Sequence, residues 1–382
     1  MRERLLIPVL GLGQIVAFAS SYYLLGILAD PMAADLRTQP ATMFSALSIA
    51  FLLSALITPT AGRAIERFGG RRVQAFAHAA FATALLIMAS AISPEMLWVG
   101  VALLGVGMGT GLYGTAFAII VERRGSEARR GIAAVSLIGA LGGGLGWPIT
   151  RAITETGDWR SACLSWAFGH LLICLPVTLL ALSQRQRDAD NIARDGRITW
   201  DRPMVQLAAL FAGAWFVSTA MGAHLPRVLV ALGMKVSDAA WAAGLMAGCA
   251  VAARLIDLLW LHKSHPLVMV RLACLFHPIG ASTALFGGVN FAPLLAVGQG
   301  LGNGLLSVAS GVLPLKIFGP ERYAVRQAML LTPARYLQAA APAVYAIALD
   351  HSAGLALTLS GGLCMMMLGL TLRLDRGKAA PS

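Results

Sequence analysis

Long apolar stretches recur along the whole chain and are separated by short segments that carry most of the charged residues. A helix that crosses the hydrocarbon core of a bilayer needs about 20 mostly apolar residues. Only 13% of the 382 residues are charged, about half the share found in soluble domains, so most of the chain cannot face water. The pattern predicts an all-α membrane protein of twelve transmembrane helices, named spans 1 to 12, at 5–28, 43–61, 73–92, 96–121, 131–153, 160–182, 203–225, 238–260, 267–287, 290–318, 324–349 and 353–372.

The basic residues alternate from one side of the predicted spans to the other. With the N-terminus placed inside, 23 of the 30 Lys and Arg fall in inside segments, five in outside segments and two within spans. Cytoplasmic loops carry such an excess of basic residues, and a wrong number of spans would scramble the alternation. The sequence therefore predicts a multi-pass protein of a cell inner membrane with both termini in the cytoplasm.

Several function classes are excluded by what the sequence lacks. The net charge of +12 is spread over short loops instead of one basic face, so no nucleic-acid partner is expected. The five cysteines lie in apolar stretches without the spacing of a metal site, and we expect neither metal nor cofactor. There is no P-loop, catalytic triad or convergent acid–base group in the sequence, so we do not expect an enzyme.

The second half of the chain repeats features of the first half. The alternating glycines of Gly105–Gly111 in span 4 recur at Gly298–Gly304 in span 10, and Gly62–Glu66 matches Ala253–Asp257. Six helices duplicated in the same sense form the parallel repeat of a transporter with two bundles. The repeat predicts two pseudo-symmetric six-helix bundles joined by a cytoplasmic linker, with boundaries at 1–182, 183–202 and 203–382. The glycines themselves are interpreted as close-packing positions between helices.

The segment after span 2 reads Gly62-Arg-Ala-Ile-Glu66-Arg67-Phe-Gly69-Gly70-Arg71-Arg72. It resembles the loop signature of the major facilitator superfamily, usually Gly-x-x-x-Asp-Arg-x-Gly-Arg-Arg, with Glu66 in place of Asp. The resemblance implies the two-bundle fold and a latch that holds the cytoplasmic face closed through charge-assisted bonds. The gating residues implied by this motif and its counterpart in the second half are Gly62, Glu66, Arg67, Gly69, Arg71, Arg72, Arg254 and Asp257.

Two more segments carry the resemblance. Gly157-Asp-Trp159-Arg160 precedes span 6, as in the superfamily. In span 5, the sequence GALGGGLGWP at 139–148 lacks the Gly-Pro pair of the drug/proton antiporters. Its small-residue pattern is most similar to that of the monocarboxylate and oxalate/formate branch.

Ionisable residues deep within spans are costly and mark functional sites. Arg335 lies near the middle of span 11, and no Asp or Glu occurs at a comparable depth in any span. We therefore expect Arg335 to bind a substrate anion; the alternative is a structural arginine that bonds to carbonyls or polar neighbours. His170 in span 6 and His277 in span 9 lie at mid-depth and are candidates for proton coupling, the alternative being simple hydrogen bonding.

In the superfamily, spans 1, 4, 7 and 10 line the substrate cavity. The resemblance thus adds six candidate substrate-binding residues, Gln14, Tyr22, Tyr23, Tyr113, Trp215 and Asn303. The predicted function is secondary active transport of a small solute, preferably an organic anion, by alternating access. An exporter of amphipathic drugs or metabolites and a non-transporting membrane receptor are the alternatives. We expect a monomer in the lipid bilayer whose partners are the solute and a proton or counter-solute.

Reporter fusions test the predicted orientation. Green fluorescent protein fused after the last residue should fluoresce, because it folds in the cytoplasm, and alkaline phosphatase at the same point should be inactive. Fusion after Lys235, in a predicted outside loop, is the matched control and should give the reverse result. An active phosphatase at the C-terminus would contradict the assignment.

Overall fold

The computed structural model describes residues 2–182 and 198–374, which form fifteen α-helices and no β-strand. The chain divides into two compact units: unit 1 holds Met1–Ile198 and Pro320–Thr332, and unit 2 holds Thr199–Gly319 and Pro333–Ser382. Most of the predicted linker, at 183–197, and the end of the predicted tail, at 375–382, lie outside the described residues. The bundle boundaries given above therefore stay a prediction.

Unit 1 contains nine complete helices, and three of its predicted spans are each built from two of them. Spans 1, 4 and 6 are interrupted after residues 19, 111 and 168. The interruption in span 6 is a π-helical turn at Gly169–Cys174, and the one in span 4 is the extended residue Leu112. The helices are α1 (Arg2–Ala19), α2 (Leu25–Asp35), α3 (Pro40–Phe68), α4 (Gly70–Ala89), α5 (Pro94–Gly111), α6 (Tyr113–Arg124), α7 (Arg129–Thr156), α8 (Trp159–Phe168) and α9 (Leu175–Ala181).

The helices of the second half of the chain are longer and mostly continuous. They are α10 (Arg202–Ala231), α11 (Val236–Leu259), α12 (Pro266–Phe286), α13 (Pro293–Phe318), α14 (Tyr323–His351) and α15 (Ala353–Arg373). Helix α14 begins in unit 1 and continues into unit 2 from Pro333 onward. The other five belong to unit 2 alone.

Nine helical segments within the described part of the chain are long and apolar enough to cross a membrane. One of them, Pro94–Thr156, runs for 63 residues and contains both predicted spans 4 and 5. Two predicted spans are not among these nine segments. Helix α1 is apolar but shorter than any of the nine segments, and α14 carries polar residues such as Arg335 that lower its hydropathy. These helices account for the twelve predicted spans, and the prediction of an all-α membrane fold is confirmed.

Alternate glycines allow the helices of each unit to pack closely. A Cβ atom on Gly105 of α5 would collide with the backbone carbonyl of Ala50 on α3. In unit 2, a Cβ atom on Gly304 of α13 would collide with the carbonyl of Ala250 on α11. Small residues at helix interfaces let backbones approach each other in a membrane, where lipid is as apolar as the side chains. The predicted packing role of the repeated glycines is confirmed.

The start of α8 ties together three segments of unit 1. Arg160 donates a hydrogen bond of 2.6 Å to the Asp35 carboxylate at the end of α2 and one of 2.8 Å to the Ala91 carbonyl after α4. The Trp159 indole donates to the same Asp35 oxygen at 3.3 Å, and the Arg160 guanidinium lies 4.1 Å from the Trp159 ring centroid. These hydrogen bonds, chiefly the one from Arg160, hold the pKa of the Asp35 carboxyl below its ordinary value.

The variant Asp35→Asn tests this contact through its pH dependence. Because the pKa of Asp35 is lowered in the folded protein, its stabilisation is complete above the carboxyl pKa of the unfolded chain, about 3.9, and is lost as the pH falls through the folded value. We expect the variant to have a lower thermal midpoint in detergent at pH 7, and the difference from wild type to shrink towards pH 3. Asp30→Asn, exposed on the same helix, is the control. An equal shift in both variants would refute the contact's role.

Paired glycine substitutions test the packing. We expect Gly304→Ala to lower the free energy of unfolding by about 1–3 kcal/mol, because the added methyl group meets backbone. Gly248→Ala on α11 adds a methyl group into open space and should be neutral or stabilising by up to ~1 kcal/mol. Denaturant unfolding in detergent measures both, and equal stabilities would show that the glycines are not packing positions.

Candidate functional site

Arg335 is the centre of a polar group inside unit 2. Its side chain is only 7% exposed, and Nη1 donates a hydrogen bond of 3.1 Å to Oε1 of Gln338, one turn further along α14. The guanidinium carbon lies 5.5 Å from the ring centroid of Trp215 on α10, within the range of a cation–π contact. The structure thus brings together two predicted substrate-binding residues, Arg335 and Trp215.

Gln338 completes this group and was not predicted from the sequence. It is fully buried, and its Oε1 is identified as the acceptor because the arginine can only donate. The other amide atom, Nε2, is buried and has no hydrogen-bond partner within residues 2–182 and 198–374. A buried donor without an acceptor is costly, so the amide beside Arg335 is suited to an incoming acceptor.

A small cavity in unit 2 contains two more of the predicted residues. Ser218, His277, Gln299 and Asn303 supply its polar lining, and its free volume is about that of one water molecule. Ser218 Oγ donates to Asn303 Oδ1 at 2.9 Å, and His277 Nε2 lies 2.9 Å from Ser360 Oγ. Trp215 and Ser218 are one turn apart on α10, so the Arg335 group and this cavity share a helix.

The predicted aromatic residues of unit 1 form one cluster around the break between α1 and α2. Tyr22 and Tyr23 lie in that break with ring centroids 5.1 Å apart. Phe18 lies 6.4 Å from each of them and 4.7 Å from Tyr113, which is buried at the start of α6. The Trp147 indole donates to the Tyr23 carbonyl at 3.0 Å. Tyr22 and Tyr23 are half-buried.

Gln14, a predicted substrate-binding residue, is buried and contacts the backbone of α5. Its Nε2 donates a 2.8 Å hydrogen bond to the carbonyl oxygen of Gly111, the last residue of α5. Gln74 Nε2 lies 3.4 Å from the same oxygen. Because α5 is interrupted at this point, its last carbonyl needs a donor from outside the helix. The structure accounts for Gln14 as a partner of the backbone, and its predicted role in substrate binding stays a prediction.

The two candidate proton-coupling histidines lie in different units. His170 occupies the π-helical turn of unit 1, with Nε2 at 2.8 Å from Ser20 Oγ and Nδ1 at 3.0 Å from Nδ1 of His78. His277 lies on α12 in unit 2. The sequence did not single out His78, because its contact with His170 spans 92 residues and depends on how α4 packs.

Glu66 contacts the segment 320–332, which belongs to unit 1 although it follows α13 in the chain. Arg322 Nε donates to Glu66 Oε2 at 3.4 Å. A Cβ atom on Gly62 would lie 2.8 Å from the Ala324 carbonyl oxygen, so only glycine permits this approach. Gly69 ends α3 with φ of +81°, a conformation that favours glycine. Two of the predicted gating residues, Gly62 and Glu66, therefore allow or make this contact, and a third, Gly69, ends the helix that carries them.

The remaining gating candidates are placed as follows. The Arg67 guanidinium lies 5.1 Å from the ring centroid of its neighbour Phe68, and Arg71 and Arg72 lie in the first turn of α4. Arg254 and Asp257 are both buried on α11 of unit 2. The predicted gating residues are thus divided between the two units, and their joint role stays a prediction.

Comparison with known proteins identifies the family. Residues 10–342 match the family model of the Major Facilitator Superfamily. No curated protein sequence matches the chain.

Solved structures share the fold over almost the whole chain. The human organic anion transporter MFSD10 is 16% identical with a TM-score of 0.75, covering 97% of this chain and 99% of its own. The proton:xylose symporter XylE is 13% identical with a TM-score of 0.75, covering 97% and 95%. The Escherichia coli fucose:proton symporter FucP is 16% identical with a TM-score of 0.69, covering 96% and 98%. The chain belongs to the major facilitator superfamily and is a multi-pass membrane protein, a secondary transporter of small solutes and not an enzyme.

Proposed function

We propose that this transporter carries a small organic anion and that Arg335 binds the anion. The observation on which the proposal rests is the group of Arg335, Gln338 and Trp215 in unit 2. A cation buried at 7% exposure inside a membrane protein is costly, and such residues mark solute sites. The solved structures share the fold alone at these identities, and the substrate class is inferred from the chemistry of this group.

The donors of the group fit a carboxylate. The planar guanidinium presents paired N–H donors that match the two oxygens of a carboxylate. Gln338 Nε2 supplies another buried donor, and the Trp215 ring offers a flat apolar surface. We therefore infer a monocarboxylate with an apolar or planar body as the substrate class. This agrees with the small-residue pattern at 139–148, which resembles the monocarboxylate and oxalate/formate branch.

Export of amphipathic, usually cationic, drugs is the competing function. A carrier of cations would need a buried carboxylate at its site. Asp257 on α11 is the one buried Asp or Glu in the described ranges, 2–182 and 198–374. Arg254, buried one turn earlier on the same helix, supplies the matching positive charge. The balance of buried charge favours an anion.

We propose His277 as the residue that couples transport to a proton. It lines the cavity together with Asn303, in the same unit as Arg335. Both ring nitrogens of His170 are engaged, by Ser20 and His78, which makes that histidine the weaker candidate. Moving one proton with one monocarboxylate adds no net charge to the loaded carrier, which limits the cost of crossing the bilayer.

We further propose a monomer in the inner membrane with both termini in the cytoplasm. The excess of basic residues in the inside segments supports this orientation. It places the Glu66–Arg322 contact on the cytoplasmic side, where the superfamily latch is expected. Gly62 and Glu66, which lie at this contact, are the residues that we assign to that latch.

Transport by Arg335→Gln tests the anion site. In vesicles with purified protein and a panel of labelled monocarboxylates, we expect the variant to lose at least about 30-fold in uptake at low substrate concentration. Removing one partner of a buried charged hydrogen bond costs about 2–5 kcal/mol, which corresponds to this loss or more. Arg335→Lys keeps the charge but not the paired donors and should recover only part of the activity.

Arg271→Gln is the matched control. Arg271 also lies in a helix of unit 2, where Nη2 donates to the Thr371 carbonyl at 2.9 Å. This variant should transport nearly as well as wild type, and the thermal midpoints of both variants should be compared to exclude unfolding. Wild-type uptake by Arg335→Gln would refute the anion site.

A further inference from the structure

Three side chains that bind metals in other proteins meet inside unit 1. They are His78 on α4 and His170 and Cys174 in the π-helical turn. One ligand atom from each lies within 4.8 Å of the others, and all three side chains are buried. The proposed transport function uses none of the three, and the sequence alone did not indicate the cluster.

The π-helical turn builds one side of this cluster. It covers Gly169–Cys174 and therefore contains both His170 and Cys174. Phe81 fixes the plane of the His170 ring by stacking on it, with centroids 4.9 Å apart and an angle of 17°. Such turns are rare and occur frequently at functional sites. The helix departs from regular geometry where it presents its ligands.

The hydrogen bonds identify which ring nitrogen of each imidazole carries the proton. Gln74 Nε2 is 3.4 Å from the Gly111 carbonyl, which identifies it as the amino group, and it donates to His78 Nε2 at 3.3 Å. A neutral His78 then carries its proton on Nδ1 and donates to His170 Nδ1 at 3.0 Å. A neutral His170 carries its proton on Nε2 and donates to Ser20 Oγ at 2.8 Å. One proton therefore lies between two nitrogens that face each other.

We propose that a soft monovalent metal ion of the Cu(I) class takes the place of this proton. The ligands are Nδ1 of His78, Nδ1 of His170 and the thiolate Sγ of Cys174. On binding, the Nδ1 proton of His78 moves to its Nε2, and the Cys174 thiol releases one proton to solvent. Metal–nitrogen distances of about 2.0 Å and metal–sulfur distances of about 2.3 Å require the ligand atoms to shift by about an ångström.

The outer contacts needed for this binding mode are already present. Metal-bound histidines usually donate their second N–H to a fixed acceptor, which sets their orientation. Ser20 Oγ accepts from His170. Gln74 Oε1 is buried without a hydrogen-bond partner in the described part of the chain, and rotation of the amide brings it to His78 Nε2. The rotation exchanges the 3.4 Å hydrogen bond from Gln74 to the Gly111 carbonyl for one from His78 to Gln74, and Gln14 still donates to that carbonyl at 2.8 Å.

Charge selects a monovalent ion over a divalent one. One thiolate and two neutral imidazoles carry a single negative charge, so Cu(I) or Ag(I) gives a neutral complex. A divalent ion would leave one net positive charge in an apolar interior, and the cluster contains no carboxylate among the described residues. Thiolate and imidazole are also the ligands that Cu(I) accepts readily.

Copper binding to the purified full-length protein tests the site. Under anaerobic conditions in detergent, a coloured Cu(I) chelator is titrated with wild type and with His78→Gln and Cys174→Ser. We expect wild type to withdraw one Cu(I) per chain and each variant to bind at least 10-fold more weakly. Cys364→Ser and His277→Gln, which remove a buried cysteine and a buried histidine of unit 2, are the controls and should bind as wild type does.

X-ray absorption of the copper-loaded wild type gives a second measurement that does not depend on the folding of variants. We expect one sulfur and two nitrogen ligands on each copper. A wild-type protein that withdraws no copper, unchanged binding by Cys174→Ser, or a copper shell without sulfur would each overturn the proposal. None of these measurements involves the transported anion, so failure here leaves the proposed transport function intact.

Discussion

Within a bilayer each backbone carbonyl must find a hydrogen-bond donor inside the protein, and this constraint shapes the interior of unit 1. Helix α5 stops at Gly111, which leaves the carbonyl of that residue without its usual partner in the next turn. Gln14 and Gln74 supply the missing donors. The break in the helix is thus tolerated because two buried amides, one from α1 and one from α4, donate to this carbonyl.

The same constraint accounts for further buried polar residues. Gln74 also contacts His78, which contacts His170, which contacts Ser20 at the end of α1. A chain of hydrogen bonds therefore runs from the interrupted α5 to the interrupted first span. Each member needs the next as a partner, because an unsatisfied polar group costs several kcal/mol in apolar surroundings. The polar interior of unit 1 is in this sense a consequence of its broken helices.

The sequence predicted those features that depend on local pattern. Hydrophobic length located the spans, and the motif around Gly62 and Glu66 singled out Glu66 as a member of a charge-assisted contact without naming its partner. Gln338 was also within reach, since it follows Arg335 by one helical turn. The breaks at residues 20–24 and 169–174 lie inside stretches that are apolar enough overall to be taken as single spans, so hydropathy did not locate them. His78 and Arg322 were missed because their partners are 92 and 256 residues away in the chain.

Gln14 shows why a residue type in a cavity-lining span is weak evidence for substrate binding. An amide in the middle of a membrane helix serves a solute or a backbone carbonyl equally well, and only the position of Gly111 shows which contact is made. Arg335 differs because backbone carbonyls cannot neutralise its charge. Burial in a membrane helix is therefore stronger evidence of a solute site for a charged residue than for an amide.

Helix α14 links the two features that matter most for transport. Arg322, just before its first residue, contacts Glu66, and Arg335 follows 13 residues later in the same helix. A motion of the start of this helix therefore changes the contact between Glu66 and Arg322. Pro333, where α14 passes from unit 1 to unit 2, has no N–H to lose, so a bend there breaks fewer hydrogen bonds than at a residue that donates one. Of the two prolines inside α14, this one lies two residues before the proposed anion site, and the other, Pro342, lies seven residues after it.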